Sequence, residues 1–114
     1  MKFTVEVDTK RMTGTKIAGV TTVVTDPEVI DKIARKYTIA AVFVAVSANP
    51  NTRTDTLDFM LDFMRNNKCK SRYDILKRIA ENPNSTKPVL DKVIEMDYPA
   101  ITRFAKEHPN YKEK

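Results

Sequence analysis

The sequence predicts an α+β fold in which an N-terminal β-hairpin, or small sheet, precedes a short α-helical repeat. Apolar and polar residues alternate near the N-terminus, which is the pattern of a half-buried strand. From residue 25 onward apolar residues recur at helical spacing, and an Asn-Pro phrase recurs between them. We therefore predict one domain over residues 1–114, with a hairpin at 1–24, helical repeats at 25–110 and a tail at 111–114.

Two N-terminal segments are predicted as strands. Apolar and polar residues alternate in residues 2–8, and residues 16–24 are rich in Thr, Val and Ile, which favour strands. Gly14 and Gly19, the only glycines of the chain, suit a turn and a β-bulge at these places. Together the two segments predict a β-hairpin.

Helices are predicted after Thr25, a suitable N-cap that is followed by Asp26, Pro27 and Glu28 in the first turn. The expected helices cover residues 26–36, 39–48, 53–66, 72–81, 87–96 and 99–107. Four of the eight residues 39–46 are β-branched and by composition alone the segment fits a buried strand, but its place in the repeat favours a helix. The inward stripes of the helices predict burial of Leu61, Ile79, Leu90 and Phe104.

A polar phrase occurs twice in full and once in part. Residues 47–52 read Ser-Ala-Asn-Pro-Asn-Thr, residues 80–85 read Ala-Glu-Asn-Pro-Asn-Ser, and residues 108–110 read His-Pro-Asn. Proline disfavours helix at the residue before it and cannot continue the helical hydrogen bonding. The Asn, Ser and Thr side chains suit the free N–H groups where the next helix begins. Each of the two full phrases therefore predicts a rigid corner between two short helices.

The spacing of the phrases defines the repeat. Pro50 and Pro83 lie 33 residues apart, whereas Pro83 and Pro109 lie 26 apart. The difference of seven matches the polar residues 65–71, which we interpret as an insertion into a unit of about 26 residues.

This repeated sequence pattern resembles that of the leucine-rich repeat variant family, whose units combine an apolar helix, an Ala-x-Asn-Pro-x-Thr corner and a Pro-Glu-Val-Leu helix. The match covers residues 39–64 and 72–96 well and residues 98–110 in part, and residues 25–30 resemble a first half-unit. The resemblance implies units stacked into a right-handed helical solenoid. One form of the family carries an iron–sulfur cluster on an added cysteine-rich segment, which a chain with Cys69 as its single cysteine does not provide.

Composition restricts the class of protein. The chain is 41% hydrophobic and 31% charged, and no apolar run is long enough to span a membrane. The N-terminus lacks the apolar region of a signal peptide. A single cysteine excludes an internal disulfide. We expect a cytoplasmic protein with no cofactor and no membrane partner.

The net charge of +5 is concentrated in residues 65–78, here called the basic segment. Such a segment attracts phosphates or an acidic protein surface, although a solvated inter-helix loop has the same composition. One aromatic residue is too few for a base-stacking platform. We predict that partner binding involves the basic side chains and the tyrosine of this segment: Arg65, Lys68, Lys70, Arg72, Tyr73, Lys77 and Arg78.

Other reactive residue types have simpler interpretations. His108 occupies the place of an Asn in the third phrase and is predicted as a corner residue. Cys69 is interpreted as an incidental exposed thiol, although neighbouring lysines favour its thiolate. Asp55, Asp58 and Asp62 are interpreted as a solvated acidic helix face. No catalytic, metal or cofactor site is predicted.

These observations favour a non-enzymatic binding module that engages a macromolecular partner. A protein partner is favoured, and a phage-type regulator or inhibitor of a host machine fits the character of the chain. The alternative is a nucleic-acid-binding protein that uses the basic segment. Self-association through an exposed repeat end or hairpin edge remains open, and an enzyme ranks last.

Overall fold

The structure, a computed structural model, describes residues 14–67 and 71–112, with side chains for residues 17–67 and 71–111. These residues form eight helices: α1 (Gly14–Val23), α2 (Pro27–Lys36), α3 (Ala40–Ala48), α4 (Thr54–Asn66), α5 (Arg72–Glu81), α6 (Lys87–Glu95), α7 (Pro99–Glu107) and α8 (Pro109–Lys112). No strand occurs among the described residues. The predicted α+β fold with an N-terminal β-hairpin is therefore wrong, and the described chain is all helical.

The strand predicted for residues 16–24 is instead helix α1. Ile17 and Thr21, one turn apart, are buried against α3. The Thr21 hydroxyl donates to the Ile17 carbonyl at 2.7 Å, a local bond by which Thr is accommodated in helices. Helix α3 is apolar nearly all round and needs a neighbour on this side, so packing overrides the strand propensity of α1. The strand predicted for residues 2–8 lies outside the described residues.

The six helices predicted after residue 25 are confirmed, with ends within one residue of those expected. Residues 40–46, which include three β-branched valines, are helical because α3 packs between α1 and α5 and has α2 beside it, so apolar side chains are required on several sides. The N-cap of α2 is Asp26 rather than Thr25, since Oδ1 of Asp26 accepts from the Glu28 N–H at 3.0 Å. The insertion lengthens α4 to 13 residues, compared with nine in α6.

The helices alternate between two layers. In the first layer α1, α3, α5 and α7 pack side by side, and in the second layer α2, α4, α6 and α8 do so. The molecule measures 42 × 29 × 17 Å, and its smallest dimension corresponds to two helices whose axes lie about 8–10 Å apart. The apolar core lies between the layers.

The core contains Leu61, Ile79 and Leu90, each with no exposed surface, which confirms their predicted burial. Phe104 contradicts the prediction, because 38% of its surface is exposed. In α7 the inward positions belong to Ile101 and Ala105, which are fully buried. Phe104 projects from the outer side of the first layer.

Candidate binding surface

The second and third corners are each hydrogen-bonded to the corner before them, and the first, through Nδ2 of Asn49, to the carbonyls of Thr21 and Val24 at the end of α1. The Asn82 amide Nδ2 donates to the carbonyls of Ser47 at 2.9 Å and of Asn49 at 3.1 Å. Its Oδ1 accepts from the Asn84 N–H within its own corner at 2.9 Å. Asn82 is buried, so this one side chain supplies hydrogen bonds that water cannot replace.

A second row of asparagines repeats the arrangement. Asn84 and Asn110 each donate from Nδ2 to two carbonyls of the preceding corner, at distances between 2.7 and 3.2 Å. The acceptors are Pro50 and Thr52 for Asn84, and Pro83 and Ser85 for Asn110. The corners therefore form a continuous polar edge that sets the spacing of the first-layer helices.

His108 takes the place of the buried asparagine in the third corner. Its Nε2 lies 2.8 Å from the Asn82 carbonyl oxygen, and its Nδ1 accepts from the Asn110 N–H at 3.0 Å. Because Nδ1 accepts a hydrogen bond and Nε2 faces an acceptor, we assign the neutral imidazole with its proton on Nε2. The predicted role of His108 as a corner residue is confirmed.

The outer side of the second layer is crossed by ion pairs between helices. Arg65 of α4 lies 2.8 Å from Glu95 of α6. Lys92 of α6 lies 2.7 Å from Asp58 and 2.9 Å from Asp62 of α4. The hydrogen bonds that the Lys92 ammonium donates, first to Asp58 and then to Asp62, raise the pKa of Lys92 above its ordinary value. Asp58 and Asp62 are therefore counter-ions of a lysine.

A further polar cluster joins α2 to the start of α4. The Asp31 carboxylate accepts from Arg35 at 2.9 Å and from the Thr56 hydroxyl at 2.5 Å, and Arg53 lies 3.4 Å away. Arg53 also donates to Asp55 at 3.0 Å. This hydrogen bond lowers the pKa of Asp55 below its ordinary value. All three aspartates of the predicted acidic face thus have cationic partners.

The basic segment is divided between the two layers. Arg65 lies on the second layer, whereas Lys77 and Arg78 lie on α5 of the first layer. Lys77 is 3.8 Å from Glu81, and Arg78 is 3.0 Å from Asp74. The structure therefore does not bring Arg65 together with Lys77 and Arg78.

The beginning of α5 shows a structural role for two further members of the segment. Arg72 donates from Nη2 to the carbonyls of Met64 and Asn67, at the C-terminal end of α4. Tyr73 packs edge-to-face on Tyr98, with ring centroids 5.8 Å apart, and is 47% exposed. Lys68 and Lys70 lie outside the described residues, as does Cys69.

The distribution of charge changes the interpretation of the net charge. The described side chains, residues 17–67 and 71–111, contain as many acidic as basic residues. The excess of +5 therefore belongs to residues 1–16, 68–70 and 112–114.

The outer side of the first layer differs from that of the second. Helix α3 presents Ala41, Ala45 and Ala48 there, of which Ala41 and Ala48 are exposed. First-layer helices pack more closely than second-layer helices, as such small side chains allow. The first layer is therefore the more tightly packed of the two.

Two grooves lie on this side, next to the Asn-Pro corners. The larger groove, about 460 Å³, lies between the C-terminal ends of α5 and α7, and its lining includes Phe104, Glu81 and Glu107. The smaller groove, about 170 Å³, lies one unit earlier between α3 and α5, with Ala48 and Arg78 among its lining residues.

Sequence reasoning missed these grooves. The repeat nevertheless indicated the outward position of Phe104. Phe104 stands five residues before Pro109, just as Arg78 stands five residues before Pro83. Helix spacing predicts that Arg78 faces outward, and the same register then places Phe104 outward as well.

The chain matches no protein-family model, no curated protein and no solved structure. None of the described helices is long and apolar enough to cross a membrane. Within residues 14–67 and 71–112, His, Cys, Asp and Glu side chains form no group of three or more that suits a metal ion.

Proposed function

We propose that this protein is a non-enzymatic binding module that engages a protein partner through the outer side of its first layer. The observation that carries the proposal is the contrast between the two sides. On the second layer, Arg65 and Lys92 form ion pairs between α4 and α6 that cover part of the outer surface. The first layer instead offers exposed alanines, the exposed aromatic rings of Tyr73 and Phe104, and two grooves. Exposed apolar surface of this kind is characteristic of protein interaction sites.

A role as a regulator or inhibitor belongs to the same proposal. A stacked array of short helices builds a surface without requiring a catalytic pocket. The corner hydrogen bonds hold that surface in a fixed geometry, which lowers the entropy lost when a partner binds.

Nucleic acid is less well supported as a partner. Arg65, Lys77 and Arg78 each lie within 4 Å of a carboxylate, and Arg72 caps a helix end. Phosphate binding through these side chains would require breaking contacts inside the fold.

We also propose that the chain belongs to the leucine-rich repeat variant family. Two features support it: paired short helices alternate between two layers, and Asn-Pro corners connect the helices of each pair. The described helix α1 adds a first-layer element before the first such corner.

Site-specific photo-crosslinking tests the proposed surface. A photoreactive amino acid is placed at Ala41 or Ala48 on the first layer and, as a matched control, at Lys32 or Lys36 on the second layer. All four positions are exposed. After irradiation in extract of the native host, we expect the same protein adduct from both first-layer positions and not from the controls.

Nuclease treatment of the extract and a salt titration separate the two partner classes. The adduct should persist after nuclease treatment, and affinity should vary little with salt, since phosphate contacts produce a steep salt dependence. Adducts confined to Lys32 and Lys36, or abolished by nuclease, would contradict the proposal.

A further inference from the structure

We propose that the larger groove binds an extended peptide segment in which an apolar side chain stands next to a lysine or arginine. This inference rests on the proposed function and specifies the ligand of one part of the surface. It follows from the apolar lining of the groove, from its charge, and from comparison with the equivalent groove one unit earlier.

The groove has an apolar wall. Phe104 is 38% exposed and lies beside the rings of Pro83 and Pro109, with Ala80 at the same groove. The volume of about 460 Å³ accommodates a large aliphatic or aromatic side chain together with adjoining backbone. An apolar ligand side chain gains most where it covers rigid apolar surface in a concavity.

The groove also selects for positive charge. Glu81 and Glu107 are the last residues of α5 and α7, so both carboxylates stand at helix C-termini. A helix C-terminus carries partial negative charge and stabilises a nearby cation. Among the described side chains, the lining contains these two carboxylates and no lysine or arginine.

Lys77 supplies an internal example of this preference. Its ammonium lies 3.8 Å from Glu81 and 5.6 Å from the centroid of the Phe104 ring. A cation is therefore already held between a carboxylate and the aromatic wall at the margin of the groove. A ligand cation placed by Glu107 would make the same pair of contacts from the other side.

The smaller groove shows that these features are specific to the last unit. Its residues correspond to those of the larger groove through the repeat, and Pro83 takes the place of Pro109. Arg78 stands there in the place of Phe104, and Ala48 in the place of Glu81. The smaller groove therefore lacks both the aromatic wall and one of the two carboxylates.

Peptide selection tests the proposal even while the partner is unidentified. A displayed library of random heptapeptides is selected against the wild-type protein. We expect enrichment of sequences that place Leu, Ile, Met or Phe beside Lys or Arg. In spectra of labelled protein, the strongest shift changes on adding a selected peptide should fall at Phe104, Glu107 and Asn110.

Three variants then locate the binding site. Phe104→Arg gives the larger groove the side chain found in the smaller one, and the double change Glu81→Lys with Glu107→Lys reverses its charge. The control is Asp91→Lys with Glu95→Lys, which makes the same change of net charge on the second layer. We expect the selected peptides to bind at least tenfold more weakly to the first two variants and within about twofold of wild type to the control.

Several results would overturn the inference. They are an absence of enrichment, enrichment of acidic peptides, shift changes on the second layer, or equal affinity of wild type and the Phe104→Arg variant. Groove shifts produced by a single-stranded oligonucleotide would also do so. If photo-crosslinking from Ala41 and Ala48 succeeds while peptide selection fails, the inference falls and the proposed function stands. If both fail, the proposed function falls as well.

Discussion

The carbonyl oxygen of Asn82 lies 2.8 Å from Nε2 of His108, so an imidazole continues a row of hydrogen bonds that asparagines make elsewhere. An asparagine amide has two N–H donors, whereas the neutral ring has one. Asn82 uses both donors toward the preceding corner, and His108 reaches one carbonyl there. The third corner is thus held by fewer side-chain bonds than the second.

Substitution at His108 tests this equivalence. We expect His108→Asn to change the free energy of unfolding by less than about 1 kcal/mol, because asparagine occupies the same position in the other two corners. His108→Ala should cost about 1–3 kcal/mol, since it leaves the buried Asn82 carbonyl and the Asn110 N–H without these partners. Urea denaturation measures both values. Equal losses in the two variants would contradict the corner role.

Asn82 provides a sharper test of the corner hydrogen bonds. We expect Asn82→Asp to destabilise the fold by at least about 2 kcal/mol, although the two side chains have nearly the same shape. Aspartate keeps the acceptor for the Asn84 N–H but turns oxygen lone pairs toward the carbonyls of Ser47 and Asn49. Chemical denaturation at neutral pH measures the loss. A milder effect than that of Asn82→Ala would show that the two amide donors contribute little.

Gly19→Ala tests the replacement of the predicted hairpin by α1. Gly19 is exposed inside the helix, and a Cβ there meets no atom within 4 Å. Alanine in a helix interior is favoured over glycine by about 0.5–1 kcal/mol, so we expect the variant to be stabilised by that amount. Thermal unfolding followed by circular dichroism measures it. A clear destabilisation would favour the bulged strand that the sequence predicted.

Leu61 and Phe104 should respond differently to truncation. Leu61 is fully buried, so Leu61→Ala should cost about 2–5 kcal/mol of folding free energy. Phe104 is 38% exposed on the outer surface, and we expect Phe104→Ser to cost less than about 1.5 kcal/mol. Denaturation curves of the two variants, measured together, check the contrast. Similar losses would place Phe104 in the core.

The raised pKa of Lys92 predicts that the stability of the fold depends on pH in the alkaline range. Because its folded-state pKa is raised above the ordinary value of 10.5, its contribution to stability is complete below that value and is lost as the pH rises through the folded-state pKa. We expect wild type to lose more stability than Lys92→Met between about pH 10 and pH 12.

The difference between the two proteins is the quantity to measure, because contributions that wild type and variant share cancel in it. The pair is partly exposed, and its contribution should stay below about 1 kcal/mol. If the free energy of unfolding falls equally with pH in wild type and in Lys92→Met, the ion pair of Lys92 contributes nothing to stability and the prediction is wrong.

The sequence predicted the repeated helices well because their signals are local. Helical spacing and the Asn-Pro stop signals lie within a few residues of each helix end, and the expected and observed ends agree closely. Helix α1 was missed because the apolar surface of α3, more than 15 residues away along the chain, determines its structure. Propensity within residues 16–24 contains no information about that contact.

The candidate surface was harder to predict for a related reason. Formal charge showed where basic residues accumulate, but whether a carboxylate lies beside each depends on contacts such as Arg65 with Glu95, 30 residues apart. The grooves depend on how far neighbouring helices are separated at their ends. Of this surface, only the outward position of Phe104 could be predicted from the sequence, by aligning Phe104 with Arg78 in the repeat.

The corner hydrogen bonds give the array a polarity along its axis. Asn84 and Asn110 donate toward the preceding corner, whereas Asn51 turns its amide onto Asn49 of its own corner at 3.1 Å. A corner is thus a donor on one side and an acceptor on the other, like the two ends of a polar filament subunit. A second copy of residues 83–108 inserted after His108 would keep this direction, because the copied Asn84 would donate to the carbonyls of Pro83 and Ser85, as Asn110 does in the present chain.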